Sequence, residues 1–321
     1  MKNIVYILGG IYMEYRKLIK FGNSSHVVSV PNRWLRKNNL KKGDILYFEE
    51  NGNSELILTP EKKEPIAESK KKVTIDTKNK TFLEIKREII SAYINDVNVI
   101  QIIGPQVSKK LKEIRGILDS LVAVEIIEQT TDSIIAQDFL KIKETSLERV
   151  VRRIDTIIKS ILLDIDIKSK KDIYESVIAR DADINKLTFL GCRVVKKGLK
   201  DQQVGTELGL TSLELLDYWL LFQKLETLAD SLKRIARNLR SFSANKKQTE
   251  EIIIMFDQLR ESYEGLMKAY YNKDLSLARK IADMRKKHLF DCVRFGEKCQ
   301  DYSLNKTVEN FKDIHTLIGD I

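Results

Sequence analysis

Residues 225–239 read LETLADSLKRIARNL, and residues 308–321 read VENFKDIHTLIGDI. In both, apolar side chains return every three or four positions, the period of a helix with one buried face. Glu226 and Asp230 stand four apart in the first stretch, Glu309 and Asp313 four apart in the second, 83 residues later. Carboxylates at i and i+4 lie one above the other on a helix, so each pair offers oxygen donors to a single cation. One such pair alone is an ordinary solvated face, and Arg234, one turn beyond Asp230, is placed to pair with it. The recurrence is what raises a metal reading.

Outward from these stretches the same period extends back to Glu144. Val150, Val151, Ile154, Ile157, Ile158, Ile161 and Leu162 define one face of the first helix, and Arg152, Arg153, Asp155 and Lys159 the other. Six helices are predicted, over 144–165, 170–199, 211–240, 246–271, 274–299 and 303–319. The absence of proline after Pro105 supports long helices, and short polar connections make neighbours antiparallel. Residues 141–321 are thus expected to form an all-α bundle.

Residues 73–140 have a different grain. A strand at Val73–Ile75 precedes an amphipathic stretch from Phe82 to Tyr93, an apolar strand Val97–Ile103, and a helix opened by Pro105. Two further strands follow, Val122–Glu128 and Ser133–Phe139. This is a small α/β module. The run EKKEPIAESKKK, 61–72, reads as a solvated linker. Before it, 13–60 alternates short strands with turns: Arg16–Phe21, Gly22–Ser25, Val28–Val30 into Pro31, a short helix from Asn32 to Asn38, then Ile45–Phe48 and Glu55–Leu58. A unit this small buries little apolar surface alone, so self-association into a homodimer or higher oligomer is expected.

Composition narrows the functions. A chain of 321 residues that is 43% hydrophobic and 32% charged can build a core, which excludes wholesale disorder. The net charge of +10 divides as +6 over 1–72, −2 over 73–140 and +6 over 141–321. The asymmetry is sharpest from Tyr15 to Lys42, with eight bases and no acid. Cys192, Cys292 and Cys299 include no CxxC pair, which argues against a disulfide framework or a thiolate zinc site and suits a reducing cytoplasm. The apolar stretch Ile4–Leu8 is too short to cross a bilayer and has no signal-cleavage pattern, so no membrane insertion is expected; Met13 is an alternative start. His26, His288 and His315 fall in separate segments with no catalytic-triad order, and no enzyme activity is expected.

Two resemblances follow from these motifs. Glu226–Asp230 and Glu309–Asp313 resemble the E(D)xxxD signature of PhoU-type phosphate regulators, over about 144–321. The resemblance implies a bundle of two three-helix repeats whose carboxylates hold a multinuclear metal cluster, of iron, zinc or another divalent cation. It also implies a further ligand in the Val177–Asp181 stretch, Asp181. The second-repeat counterpart of Asp181 is Arg285, whose charge opposes a metal's. The segment Tyr15–Pro60, with G-x-S, an extended run into Pro31, a short helix and K-x-G-D, is similar to the AbrB/MazE-type swapped-hairpin β-barrel. That resemblance implies a dimeric DNA binder. Arg16, Lys17, Lys20, Arg33, Arg36 and Lys37 suit phosphate contacts, and Asn23 and Ser24 suit neutral hydrogen bonds.

A multidomain, cytoplasmic transcriptional regulator is therefore expected. Its AbrB-like domain would hold DNA while its PhoU-like bundle responds to phosphate status. The alternative is an adaptor that docks on a phosphate ABC transporter or sensor kinase without binding DNA. A di-iron enzyme ranks last, because the Glu-x-x-His motif is absent.

Overall fold

The computed structural model describes residues 6–8, 11–13, 15–50, 56–61, 71–168, 172–241 and 243–321. The chain divides into two compact units, Met1–Ala67 and Glu68–Ile321. Most of the expected linker, 62–70, lies outside the described residues, and its last residue, Lys72, already belongs to a strand.

In the first unit β1 (Tyr6–Leu8) pairs with β2 (Ile11–Met13), and β3 (Ile19–Phe21) with β4 (Ser25–Val27). Helix α1 (Asn32–Lys37) follows, then β5 (Tyr47–Glu50) pairs with β6 (Leu56–Thr59). The barrel expected from the sequence is not closed: among the described residues these pairs stay as separate two-stranded sheets. The physical reason lies in burial. No described residue from Tyr15 to Phe48 or from Leu56 to Glu61 is buried, and Leu18, Phe21 and Phe48 are 69%, 68% and 60% exposed. Among the described residues nothing buries these apolar faces.

The second unit opens with a four-stranded sheet. Its order is β7 (Lys72–Asp76), β8 (Val99–Ile103), β10 (Ser133–Asp138), β9 (Val124–Gln129). The β7–β8 pair is parallel and the others antiparallel. A parallel pair needs a crossover, which α2 (Phe82–Ile94) provides. A capping box starts α2: Thr81 accepts from the Glu84 amide and the Glu84 carboxylate accepts from the Thr81 amide. After β8 come α3 (Gln106–Lys109) and α4 (Leu111–Asp119). Ile75, Ile100, Ile102, Ile134 and Ala136, alternate residues of three strands, share one core with Ile85 and Ile89 of α2 and Ile114 and Leu118 of α4.

The six predicted helices are present as α5 (Leu147–Asp164), α6 (Tyr174–Lys200), α8 (Ser212–Asn238), α9 (Lys246–Asn272), α10 (Leu275–Lys298) and α11 (Tyr302–Asp320). A further short helix, α7 (Gln202–Glu207), forms where a loop was expected, opened by the Asp201 carboxylate on the Gln203 amide. Side-chain caps explain where the long helices begin. Ser146, Thr211, Asn245, Asp274 and Asp301 each accept from an amide three residues on. Helices α5, α6 and α8 pack on one another, as do α9, α10 and α11, with α8 against α11 and α5 against α9.

The closest approach of α6 to α8 depends on Gly191, where a Cβ would come 2.4 Å from the ring of Phe222, itself fully buried. An aromatic ring locked in the core cannot swing aside, so Gly191→Ala is expected to force the two helices apart. Overpacking costs about 1–3 kcal/mol, which exceeds the roughly 1 kcal/mol of helix propensity that alanine returns. A lowered unfolding midpoint in calorimetry checks this.

Candidate nucleic-acid interface and carboxylate cluster

The basic residues of the first unit fall on a hairpin and a helix. In the β3–β4 pair Lys20 is opposite His26, and its side chain leaves the face that carries Ile19 and Phe21. Asn23 and Ser24 form the tip of that hairpin, where Gly22 takes a φ of +70°. Arg33, Arg36 and Lys37 stand at i, i+3 and i+4 on α1 and share one side of it, while Trp34 and Leu35 are half-buried. Lys17, Lys20, Asn23, Ser24, Arg33, Arg36 and Lys37 are all exposed. Arg16 is half-buried, and the strand expected to carry Arg16 and Lys17 begins only at Ile19, so both lie in the extended approach to it. Exposure and charge of a single sign suit contact with phosphates.

The uncovered apolar residues of the same unit suit an expected self-association. Sedimentation equilibrium should give a mass twice the 37.1 kDa chain, and Phe21→Glu with Phe48→Glu should lower it toward one chain by charging that apolar surface.

The first unit thus sets two small hairpins on either side of one short helix in the chain order, with basic side chains exposed and apolar residues uncovered. Residues 19–66 match the family described as antidote-toxin recognition MazE, bacterial antitoxin. Neither the curated proteins nor the solved structures contain a match to the chain.

The carboxylates of the second unit divide into two unlike places. Asp181 on α6 is buried, and the Lys233 ammonium of α8 donates to it at 2.7 Å and to Asp230 at 2.5 Å. Asn185 donates to Asp181 at 3.3 Å, and Arg234 lies 3.8 Å from Asp230. Burial, with the charges of Asp230 and Asp181 beside it, holds the Glu226 carboxyl above its ordinary range. Glu309 and Asp313 on α11 are exposed, and Lys312 donates to both oxygens of Glu309 at 3.1 and 3.2 Å. Arg285 lies over Gly319 and donates to Asp320, its guanidinium directed to the end of α11.

A multinuclear metal does not fit these residues. The convergence of Asp181 from α6 and Asp230 from α8 already holds a cation, and among the described residues no group of three or more His, Cys, Asp and Glu converges as ligands would. The expected pairs Glu226–Asp230 and Glu309–Asp313 therefore form two separate sets, each answered by a lysine.

Two buried polar clusters escaped the sequence reading. Arg193 of α6 is fully buried and donates through Nη2 to Asp138 at 2.5 Å and to Asp96 at 3.1 Å, with its guanidinium over the ring of Tyr93. Lys197 adds a second cation 2.9 Å from Asp96. Burial raises the Asp138 carboxyl above its usual range despite Arg193; at Asp96 burial also pushes up, but Lys197, Arg193 and Lys71 together outweigh it and the net shift is down. These contacts fasten the α/β module to the bundle. Asp155, assigned by periodicity to the solvated face of α5, is instead buried, and accepts from Tyr263 at 3.0 Å, Tyr271 at 3.1 Å and Lys159 at 2.9 Å. Tyr271 is thus a hydrogen-bond donor across to α5 as well as aromatic packing at the end of α9.

His26 is exposed, while His288 and His315 pack ring to ring, 4.6 Å between centroids, in the interior of α10 and α11. Burial pushes His315 down to about 3, so its imidazole is neutral. No described helix is long and apolar enough to cross a membrane.

Proposed function

We propose that this chain is a dimeric DNA-binding regulator whose N-terminal unit holds DNA and whose helical bundle responds to phosphate status. The observation that carries the DNA half is the acid-free Tyr15–Lys42 segment, seven of whose eight bases are exposed, on a unit that matches a regulatory DNA-binding or antitoxin-type family over 19–66. Phosphate contacts dominate such affinity and make it fall with salt. The sensing half is supported by the grouping of six helices in two sets of three and by the twice-occurring Glu-x-x-x-Asp spacing on α8 and α11. A bundle that favours one arrangement when a ligand binds shifts DNA affinity only by the ligand's differential affinity for the two states.

The test is fluorescence anisotropy with duplex DNA from the chain's own upstream region, against a scrambled duplex, with and without inorganic phosphate. Tighter binding to the upstream duplex, altered by phosphate, is the expected result. Equal binding to both duplexes at low salt would sink the regulator and favour the adaptor that docks on a transporter or kinase. Specific binding indifferent to phosphate would remove only the sensing half. The family description also names an antitoxin; co-purification of a small toxin partner with the N-terminal unit intact would favour that role.

A further inference from the structure

We propose that Lys233 is the resident cation of the Asp181–Glu226–Asp230 cluster, a tethered ammonium standing where the repeated carboxylate motif would otherwise call for a metal. Glu226, Asp230 and Lys233 occur at i, i+4 and i+7 of α8, one stripe of the helix, and Asp181 reaches that stripe from α6. The ammonium bridges the two helices, 2.7 Å from Asp181 on one side and 2.5 Å from Asp230 on the other. Lysine has three donors and no acceptor, so an ammonium so placed occupies the carboxylate lone pairs that a divalent ion would need. It also repels any second cation brought into the same few ångströms, and Arg234 adds to that repulsion. On α11, Lys312 stands three residues after Glu309 as Lys233 stands three after Asp230, and it too covers a carboxylate of the motif.

The chain thus carries its counter-ion in its own sequence. The α6–α8 junction carries a built-in counter-charge whether or not divalent metal is available, and metal supply does not set the arrangement of this half of the bundle. This rests on the bundle reading alone and is independent of whether the N-terminal unit binds DNA.

The experiment uses the full chain, purified without chelator. Elemental analysis is expected to find only sub-stoichiometric metal, and the unfolding midpoint is expected to be the same with EDTA, with added Mn²⁺, or with neither. Lys233→Met removes the ammonium and leaves Asp181 and Asp230 facing each other without their shared cation, with Glu226 one turn before Asp230. Its midpoint should fall by several degrees, Mn²⁺ should restore part of the loss, and the Asp181→Asn, Lys233→Met double variant should not respond to Mn²⁺. Stoichiometric metal in the unaltered chain, a midpoint lowered by EDTA, or a Lys233→Met midpoint equal to that of the unaltered chain would each overturn the proposal. Should Lys233→Met fail to fold, the two measurements on the unaltered chain decide. DNA affinity is not a readout, so loss of the regulator reading leaves this result standing.

Discussion

Replacing Arg33, Arg36 and Lys37 together by alanine is expected to weaken DNA binding by roughly two to three orders of magnitude at low salt, with the fold intact. The three side chains are exposed on one side of α1. A dimer presents six of them. Each phosphate contact adds about 0.9 to the steepness with which log affinity falls against log salt, so the triple variant should flatten that dependence by about 5 if all six touch phosphate. The loss should be nearly the same on upstream and scrambled duplexes, because phosphate contacts position a protein and do not read sequence. Asn23→Ala and Ser24→Ala, at the neutral hairpin tip, should instead narrow the difference between the two duplexes and leave the salt dependence unchanged. Anisotropy titrations over a range of salt concentrations separate the two patterns. A triple variant with an unaltered salt dependence would place the interface elsewhere.

The second large effect is expected at Arg193, far in sequence from the basic segment. Arg193→Met keeps much of the stem volume and deletes the guanidinium between Asp96 and Asp138. Removing one partner from a buried ion pair leaves an uncompensated charge and costs about 3–5 kcal/mol. For a unit of this size that corresponds to a fall of roughly 10 °C in the unfolding midpoint. The sign of the pH dependence follows from Asp138, already raised by burial. A carboxyl raised in the folded state destabilises above its unfolded value and ceases to do so as it protonates. The gap between variant and unaltered chain should therefore narrow as pH falls from 7 toward 4. Asp138→Leu on top of Arg193→Met should recover much of the loss, since an apolar pair of similar volume needs no counter-charge. A midpoint within a degree or two of the unaltered chain would mean that the α/β module is not fastened to α6 by this cluster.

Local signals carried most of the fold. Alternating Ile100 and Ile102, the Pro105 that opens a helical segment, and the three-and-four recurrence through Val150, Ile154 and Ile158 gave elements whose ends agree within a few residues with those observed. Thr81 with Glu84, and Thr211 with Glu214, show why the starts were legible: a capping box is written in four consecutive residues. What periodicity could not supply was pairing across long stretches of chain. Asp155 shares the sequence neighbourhood of Arg152 and Arg153, which are exposed, and besides the nearby Lys159 its partners are the hydroxyls of Tyr263 and Tyr271, more than a hundred residues on. Arg193 is bound to partners 97 and 55 residues away. A signal was present there: a single arginine inside Leu190–Val195, between apolar or small neighbours, must either leave the core or find carboxylates within it.

At the candidate sites the sequence located the residues better than their roles. Of the eight positions from Arg16 to Lys37, six are basic and two neutral, and all but the half-buried Arg16 are exposed. The carboxylate pairs are on the expected helices, but Lys233 and Lys312, each three residues after a motif acid, were legible in the sequence and decide what those acids face. The open barrel has a different origin. Leu18, Phe21 and Phe48 are apolar residues that stay exposed in the single chain, and composition does not distinguish such residues from a core.

The most direct measurement of the central claim is a nuclease footprint of the full-length chain on its own upstream DNA. The account predicts a protected stretch with approximate two-fold symmetry, as a dimer presenting two copies of α1 and the β3–β4 hairpin requires, lost in the Arg33, Arg36, Lys37 triple variant. Protection no greater than on scrambled DNA of the same length, from a chain shown to be dimeric and folded, would contradict it.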